Sequence, residues 1–318
     1  MAFRSTIKKR LTSSFPGRHI IYGSRKTFVP GFSGFSLYEV GSAFFRQLRK
    51  TSLVERASGI SFNIVMAIPP TLIFIFTLIP YLPISQEFLN QMYALIRDVV
   101  PGEKNNSVII DFLKDFVNRP RNELLSFGLF LAIFFSSNAM MGVLRSFDRD
   151  YPGFEKRGGL HKRRVALQLT MLVFFLIFIC ILLLIAQANV LRWLGVESAI
   201  WRNIIHNSRW ILIILLTFWI VSFIYHHGPA VAKRWPLSTP GAVFATSLMI
   251  IATALVFYWV NHFSTYNTVY GSIGAIFILM TLIYTNSLAV LMGFELNVTL
   301  NHLRLEKLAA SLNGKNSQ

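Results

Sequence analysis

Charge is scarce in this 318-residue chain. Asp, Glu, Lys and Arg together make up 14% of it, against about 25% in an ordinary soluble domain. Acids are scarcer still, with 14 in all, while hydrophobic residues reach 53% and include 29 Phe, most of them in long apolar runs. A soluble fold would have too little polar surface to cover those runs, so they read as membrane spans. There is one cysteine, Cys180, inside an apolar run. That excludes an intramolecular disulfide and a cysteine-based metal cage. The familiar catalytic patterns are missing too: the sequence has no GxSxG, Walker A loop, GxGxxG or HExxH. None of the seven His pairs with a carboxylate at metal-ligand spacing. A nuclease needs clustered acids to hold a divalent metal, and here the acids are scattered, six of them between residues 83 and 123. The chain therefore reads as non-enzymatic, with no cofactor and no metal.

What is present is apolar sequence of spanning length. A spanning helix needs about 20 mostly apolar residues. Six segments qualify, at 60–82, 124–144, 165–190, 210–225, 241–260 and 273–294. The expected fold is all-α: a polytopic membrane bundle of six transmembrane helices with interfacial amphipathic helices. It divides into a basic tail at 1–35, a six-span domain at 36–302 and a second tail at 303–318.

Net charge is +17, and its distribution orients the bundle. Of the 31 Lys and Arg, 23 fall in alternate segments: the N-terminal region, the 145–164 loop, the 226–240 loop and the C-terminal tail. The positive-inside rule then places both termini in the cytoplasm, which an even number of spans also requires. The excess positive charge reads as contact with anionic lipid at that face rather than with nucleic acid. The first 30 residues are basic, but no apolar run of signal-peptide type follows them. The first span is expected to act as its own insertion signal.

Between 40 and 54, Val40, Phe44, Phe45 and Leu48 form an apolar stripe opposite Arg46, Arg49 and Lys50, the pattern of a helix lying on the membrane surface. Helical spacing at 84–118 predicts a small cap on the far side.

Polar residues inside spans carry a cost unless they face protein or water. Asn63 in span one, Asn138 in span two and Asn286 in span six are the amides that could share a cavity, with Pro69 and Pro70 disturbing span one. Gly271 and Ala275, with Gly274 beside them, allow a close helix approach, from within the chain or from a second copy. Glu295, just past Gly293-Phe294, would sit unfavourably at the C-terminus of span six. It calls for a cationic partner, with Arg145, Arg149, Arg163 and Arg164 as candidates.

Span six also carries a resemblance. Tyr266-Asn267, Tyr270-Gly271-Ser272-Ile273-Gly274-Ala275, an apolar run and then Gly293-Phe294-Glu295-Leu296-Asn297 are similar to the signature of the YihY/BrkB family of bacterial inner-membrane proteins. Pro240-Gly241-Ala242 resembles that family's start of span five. The chain departs from the pattern at Pro69-Pro70, where the family has a single Pro, and at Phe294, where it has a small residue. The resemblance implies six spans and an inner-membrane location. The family has carried a ribonuclease label, which these residues do not support, and links to serum resistance and envelope lipid export.

Together these readings favour a transporter or flippase-like protein for a lipid or amphipathic substrate. Asn63, Pro69, Pro70, Asn138, Tyr270, Asn286 and Glu295 would line its cavity, and Arg145, Arg163 and Arg164 would hold a headgroup. The alternatives are a non-transporting, oligomeric membrane scaffold and a membrane enzyme without a known motif.

Overall fold

The computed structural model describes residues 31–32, 34–81, 122–149, 151–193, 199–232, 234–262 and 265–315, with scattered positions from 89 to 115. For 184–193, 199–209, 261–262, 265–273, 275 and 313–315 it describes the backbone alone. Within these residues the chain forms seven helices: α1 (Leu37–Lys50), α2 (Leu53–Leu78), α3 (Asn122–Phe147), α4 (Gly159–Trp193), α5 (Ala199–His227), α6 (Pro240–His262) and α7 (Thr265–Lys315). Six of them, α2 to α7, are long and apolar enough to cross a membrane, and they overlap the six segments expected.

The α1 helix starts at a capping box. The Ser36 hydroxyl accepts from Glu39 N at 3.3 Å and the Glu39 carboxylate accepts from Ser36 N at 2.9 Å. Its apolar stripe splits. Val40 and Phe44 are buried against Phe32, Leu296 and Leu300, so α1 is docked on α7, while Phe45 stays exposed. The helix also ends at Lys50, short of the expected residue 54.

Spans α2 to α7 form a ring in chain order. Each packs on its sequence neighbour, and α7 closes the ring on α2. Pro69 and Pro70 lie inside α2, which runs on through them; Pro70 is buried and Pro69 exposed. The α2–α3 approach is close because Gly128 lies against the Phe74 backbone. At α6 and α7 two glycines meet: a β-carbon on Gly241 or Gly293 would overlap the carbonyl oxygen of the other. Close contact between small residues is how apolar helices associate in lipid.

Span six is longer than the sequence implied. With 51 residues, α7 extends about 77 Å at 1.5 Å per residue. Glu295 therefore lies mid-helix, twenty residues before Lys315, and the dipole argument made for it does not apply. The supposed tail from 303 continues as helix to Lys315. Of the expected 84–118 cap only isolated positions are described; Leu89 and Ile110 among them are helical and buried. Residues 1–30 lie outside the described residues.

Large buried side chains gather at one end of the ring, the end that carries the basic 145–158 and 228–239 loops. They include Phe147, Tyr225, Leu291 and Phe294. Farther along the same helices Phe130, Phe175, Leu255 and Phe277 are exposed.

Candidate functional site

The basic end is organised around two consecutive residues of α7, Phe294 and Glu295. Adjacent residues on a helix point in different directions, so one fills the ring and the other faces α1 and α2.

Phe294 is fully buried and stacks on Phe147 of α3, with ring centres 4.1 Å apart and planes 12° off parallel. Tyr151 and Phe154 from the loop after α3, Tyr225 of α5 and Trp235 from the loop after α5 surround it at 5.8–6.4 Å between ring centres. The two loops are pinned together by Glu155 N donating to Ala230 O at 2.6 Å and Ala232 N to Gly153 O at 3.3 Å. Arg157 donates to the carbonyls of His227, Gly228 and Pro229 just past α5 at 3.0–3.2 Å. A cation there satisfies carbonyls that a helix end leaves free.

Glu295 is also wholly buried, and every bond to its carboxylate comes from another element. Arg56 of α2 donates to Oε1 at 2.5 Å, the Tyr151 hydroxyl donates to Oε1 at 2.7 Å, and Gln47 of α1 donates to Oε2 at 3.1 Å. Arg56 also donates from Nη2 to Ser146 O, in the last turn of α3, at 2.5 Å. One ion pair thus joins α1, α2, α3, α7 and the 148–158 loop. Burial, the negative charge of Glu295 and the hydrogen bond given to it hold the Tyr151 hydroxyl well above its ordinary pKa. Tyr151 therefore remains a donor at any physiological pH.

The Gly293 and Asn297 positions fasten α6. Asn297 Oδ1 accepts from Gly241 N at 2.9 Å and its Nδ2 donates to Thr239 Oγ1 at 2.9 Å, while Thr239 Oγ1 accepts from Ala242 N at 3.1 Å. Thr239 and Asn297 thereby satisfy the free N–H groups that open α6. The GFELN and PGA segments on which the sequence resemblance rests are the two halves of one joint.

Two clefts open beside this assembly. One, of about 850 Å³, lies between α1, α7 and the 148–152 loop; its walls include Arg46, Gln47, Lys50, Arg149, Tyr151 and His302. The other, of about 280 Å³, lies between α2 and α3 and includes Arg56, Asn63, Arg145 and Arg149. Asp148 borders both but is engaged by Lys162.

The residues singled out from sequence are dispersed. The Asn63 amide donates to Gly59 O at 2.7 Å and lies over Gly142 at the α2–α3 contact. Asn138 accepts from Arg163 Nη1 at 2.6 Å between α3 and α4, with the Arg163 guanidinium 5.6 Å from the Phe134 ring centre. Asn286 donates to Thr253 Oγ1 at 3.3 Å between α7 and α6. The three amides thus sit at three different helix contacts and do not meet one another. Pro70 is buried within α2, and Gly274 is buried on α7. The side chain of Tyr270 and the Gly271 and Ala275 contacts fall outside the described residues. Arg145 and Arg164 are exposed. Glu295 does have an arginine partner, but it is Arg56 rather than any of the four expected from the 145–164 loop. Sequence reading passed over Arg56, Gln47 and Tyr151. The available signal for Arg56 was its place four residues before Ile60, on the face of α2 that the apolar pattern buries.

Among the described residues no group of three or more His, Cys, Asp or Glu is placed to hold a metal ion.

Fold and site define a class: an α-helical integral membrane protein of six spans, sealed at its basic end by an aromatic cluster and a buried ion pair. Within that class the chain belongs to the family described as Virulence factor BrkB, which matches residues 44–316. It is similar to YfkH of Bacillus subtilis, a protein named as ribonuclease-like, with 28% identity over 78% of this chain and 90% of that one. UPF0761 membrane proteins also match. That of Tolumonas auensis is 33% identical over 29% of this chain and 31% of its own length. That of Chromohalobacter salexigens is 23% identical over 79% of this chain and 60% of its own. The chain thus spans about 60% or less of these UPF0761 proteins. No solved structure matches the chain.

Proposed function

We propose that the chain is a transporter or flippase-like protein for a lipid or amphipathic substrate, working in the bacterial inner membrane with both termini in the cytoplasm. One observation carries this reading. Six helices form a ring in chain order, and its basic end is filled by aromatic side chains, some of them carried on two loops paired through their backbones. The rings and the charged tether can swing aside together with the loops that carry them.

In this reading Phe294 is the plug and the Arg56–Glu295–Tyr151 tether holds it shut. In this reading the path is bordered at three separate helix contacts by Asn63, Asn138 and Asn286, with Pro69, Pro70 and Tyr270 along it. The basic loops, with Arg145, Arg163 and Arg164, meet anionic headgroups. The chain is non-enzymatic in this reading, and two acids at this end serve structurally: Glu295 held by three donors and Asp148 by Lys162. Nucleic acid is not a partner, and a second copy of the chain is.

The test uses proteoliposomes carrying a fluorescent phospholipid and an impermeant quencher. Wild-type protein is expected to speed movement between leaflets over protein-free vesicles, and Phe294→Ala to speed it further. Asn138→Leu combined with Asn286→Leu is expected to stop it. Movement that survives this double change at normal expression removes the path assignment. No movement above protein-free vesicles, with any headgroup tried, overturns the transport reading in favour of an oligomeric scaffold.

A further inference from the structure

The cleft between α2 and α3 has a composition that the seal does not explain. Arg56, Arg145 and Arg149 all border it, together with the Asn63 amide. Only one of the three guanidinium groups is neutralised by a carboxylate among the described residues, Arg56 by Glu295. The carboxylate at the cleft itself, Asp148, is held by Lys162. Arg149 donates to the Ser52 hydroxyl at 2.8 Å, a neutral partner that leaves its charge uncompensated. The cleft is therefore net positive.

A second, independent feature lies in Arg56. Its side chain is only 8% exposed, and its two terminal nitrogens are engaged by Glu295 and by the Ser146 carbonyl. Its Nε–H is buried and has no acceptor among the described residues. A buried donor without an acceptor carries a desolvation cost, and an anion entering this cleft would remove it.

The position of the cleft points to the membrane surface. It lies between the basic ends of two spans, and its wall residues Gly59, Arg145 and Arg149 are exposed. On the same helix Val54 and Phe62 are each 64% exposed, apolar surface suited to acyl chains. An arginine fork matches the oxygens of a phosphate better than a point charge does.

We infer that the α2–α3 cleft is a phosphate-binding site, formed by Arg56, Arg145 and Arg149 with Asn63, for the phosphate of a lipid headgroup. This deepens the proposed lipid-handling function and rests on it for the choice of lipid over soluble phosphate.

The experiment titrates the full-length purified protein in detergent with short-chain phosphatidic acid, the matching diacylglycerol and inorganic phosphate, read by native mass spectrometry. Phosphatidic acid is expected to bind one per chain and diacylglycerol not at all. Arg145→Gln with Arg149→Gln, both at exposed positions, is expected to weaken binding about ten-fold or more. Arg46→Gln with Lys50→Gln, in the larger cleft, is expected to leave it unchanged. Inorganic phosphate that displaces the lipid at similar concentration would make the site one for free phosphate and overturn the lipid assignment. Unchanged binding in the first pair, or loss in the second pair instead, overturns the site. The two proposals fail separately: a protein that moves lipid with affinity unaltered by the first pair loses the site alone, and one that binds as expected without moving lipid loses the transport reading alone.

Discussion

Replacing Arg56 by Met is the sharpest test of how the basic end is held. The change preserves much of the length and apolar volume of the side chain but removes the cation facing a fully buried Glu295. It also frees the Ser146 carbonyl. Stranding one member of a buried ion pair costs about 3–5 kcal/mol, because the remaining charge stays desolvated without its partner. Tyr151 and Gln47 still donate to Glu295, so the lower half of that range is expected. At about 2–4 °C per kcal/mol for a large domain, the melting temperature should fall by about 6–16 °C. Removing both charges in Arg56→Met/Glu295→Leu should be milder than the single change. The residual cost is then about 1–3 kcal/mol for the unpaired Tyr151 and Gln47 donors. The assay is thermal unfolding in a mild detergent, followed by tryptophan fluorescence at constant pH. Two results would refute the reasoning: a fall of under about 2 °C for Arg56→Met, or a double variant no more stable than the single one. Either would mean that the Arg56–Glu295 pair does not hold the basic end together.

Other consequences follow from the same geometry. Phe294→Ala empties the centre of the aromatic cluster and should cost about 3–5 kcal/mol, visible in the same melting assay. Gly293→Val pushes a side chain into the Gly241 carbonyl, Ala245 and the Tyr225 hydroxyl, so the yield of monodisperse protein by size exclusion should collapse, while Gly59→Ala, at an open position, should behave as wild type. Asn297→Ala strips an acceptor from Gly241 N and should cost about 1–2 kcal/mol, as loss of a helix N-cap does. Tyr151 gives an alkaline signature. Its hydroxyl is held above the ordinary value near 10, first by burial and then by Glu295. Its stabilising protonated form is therefore fully present below about pH 10 and is lost as pH rises beyond it. Melting temperature should fall more steeply above pH 9 in wild type than in Tyr151→Phe; equal slopes would show that Tyr151 ionises freely.

Much of the architecture was legible in the chain because apolar run length answers directly to bilayer thickness. All six spans could be counted without any contact being known. Local signals are sufficient where the chemistry is local, as in the capping box that Ser36 and Glu39 form three residues apart. They failed where an element's environment comes from far along the chain. The α1 stripe looked like a membrane-surface face, yet Val40 and Phe44 are covered by Leu296 and Leu300, some 250 residues away. Apolar periodicity alone cannot distinguish lipid from another helix as the covering surface.

The same division runs through the site. Sequence by itself pointed to a cation for Glu295, on a helix-end argument that the length of α7 removes, and placed Gly293 and Asn297 in a specific segment. Only the tertiary structure decided that the cation is Arg56, that α7 continues past Glu295, and that the Gly293–Asn297 face docks on Gly241. It also placed Asn63, Asn138 and Asn286 at three separate contacts. The physical reason is that hydrophobic burial selects which residues leave water or lipid but carries no direction. Pairing is directional, and which groups meet depends on how the ring of helices closes and rotates each face, which no single segment encodes.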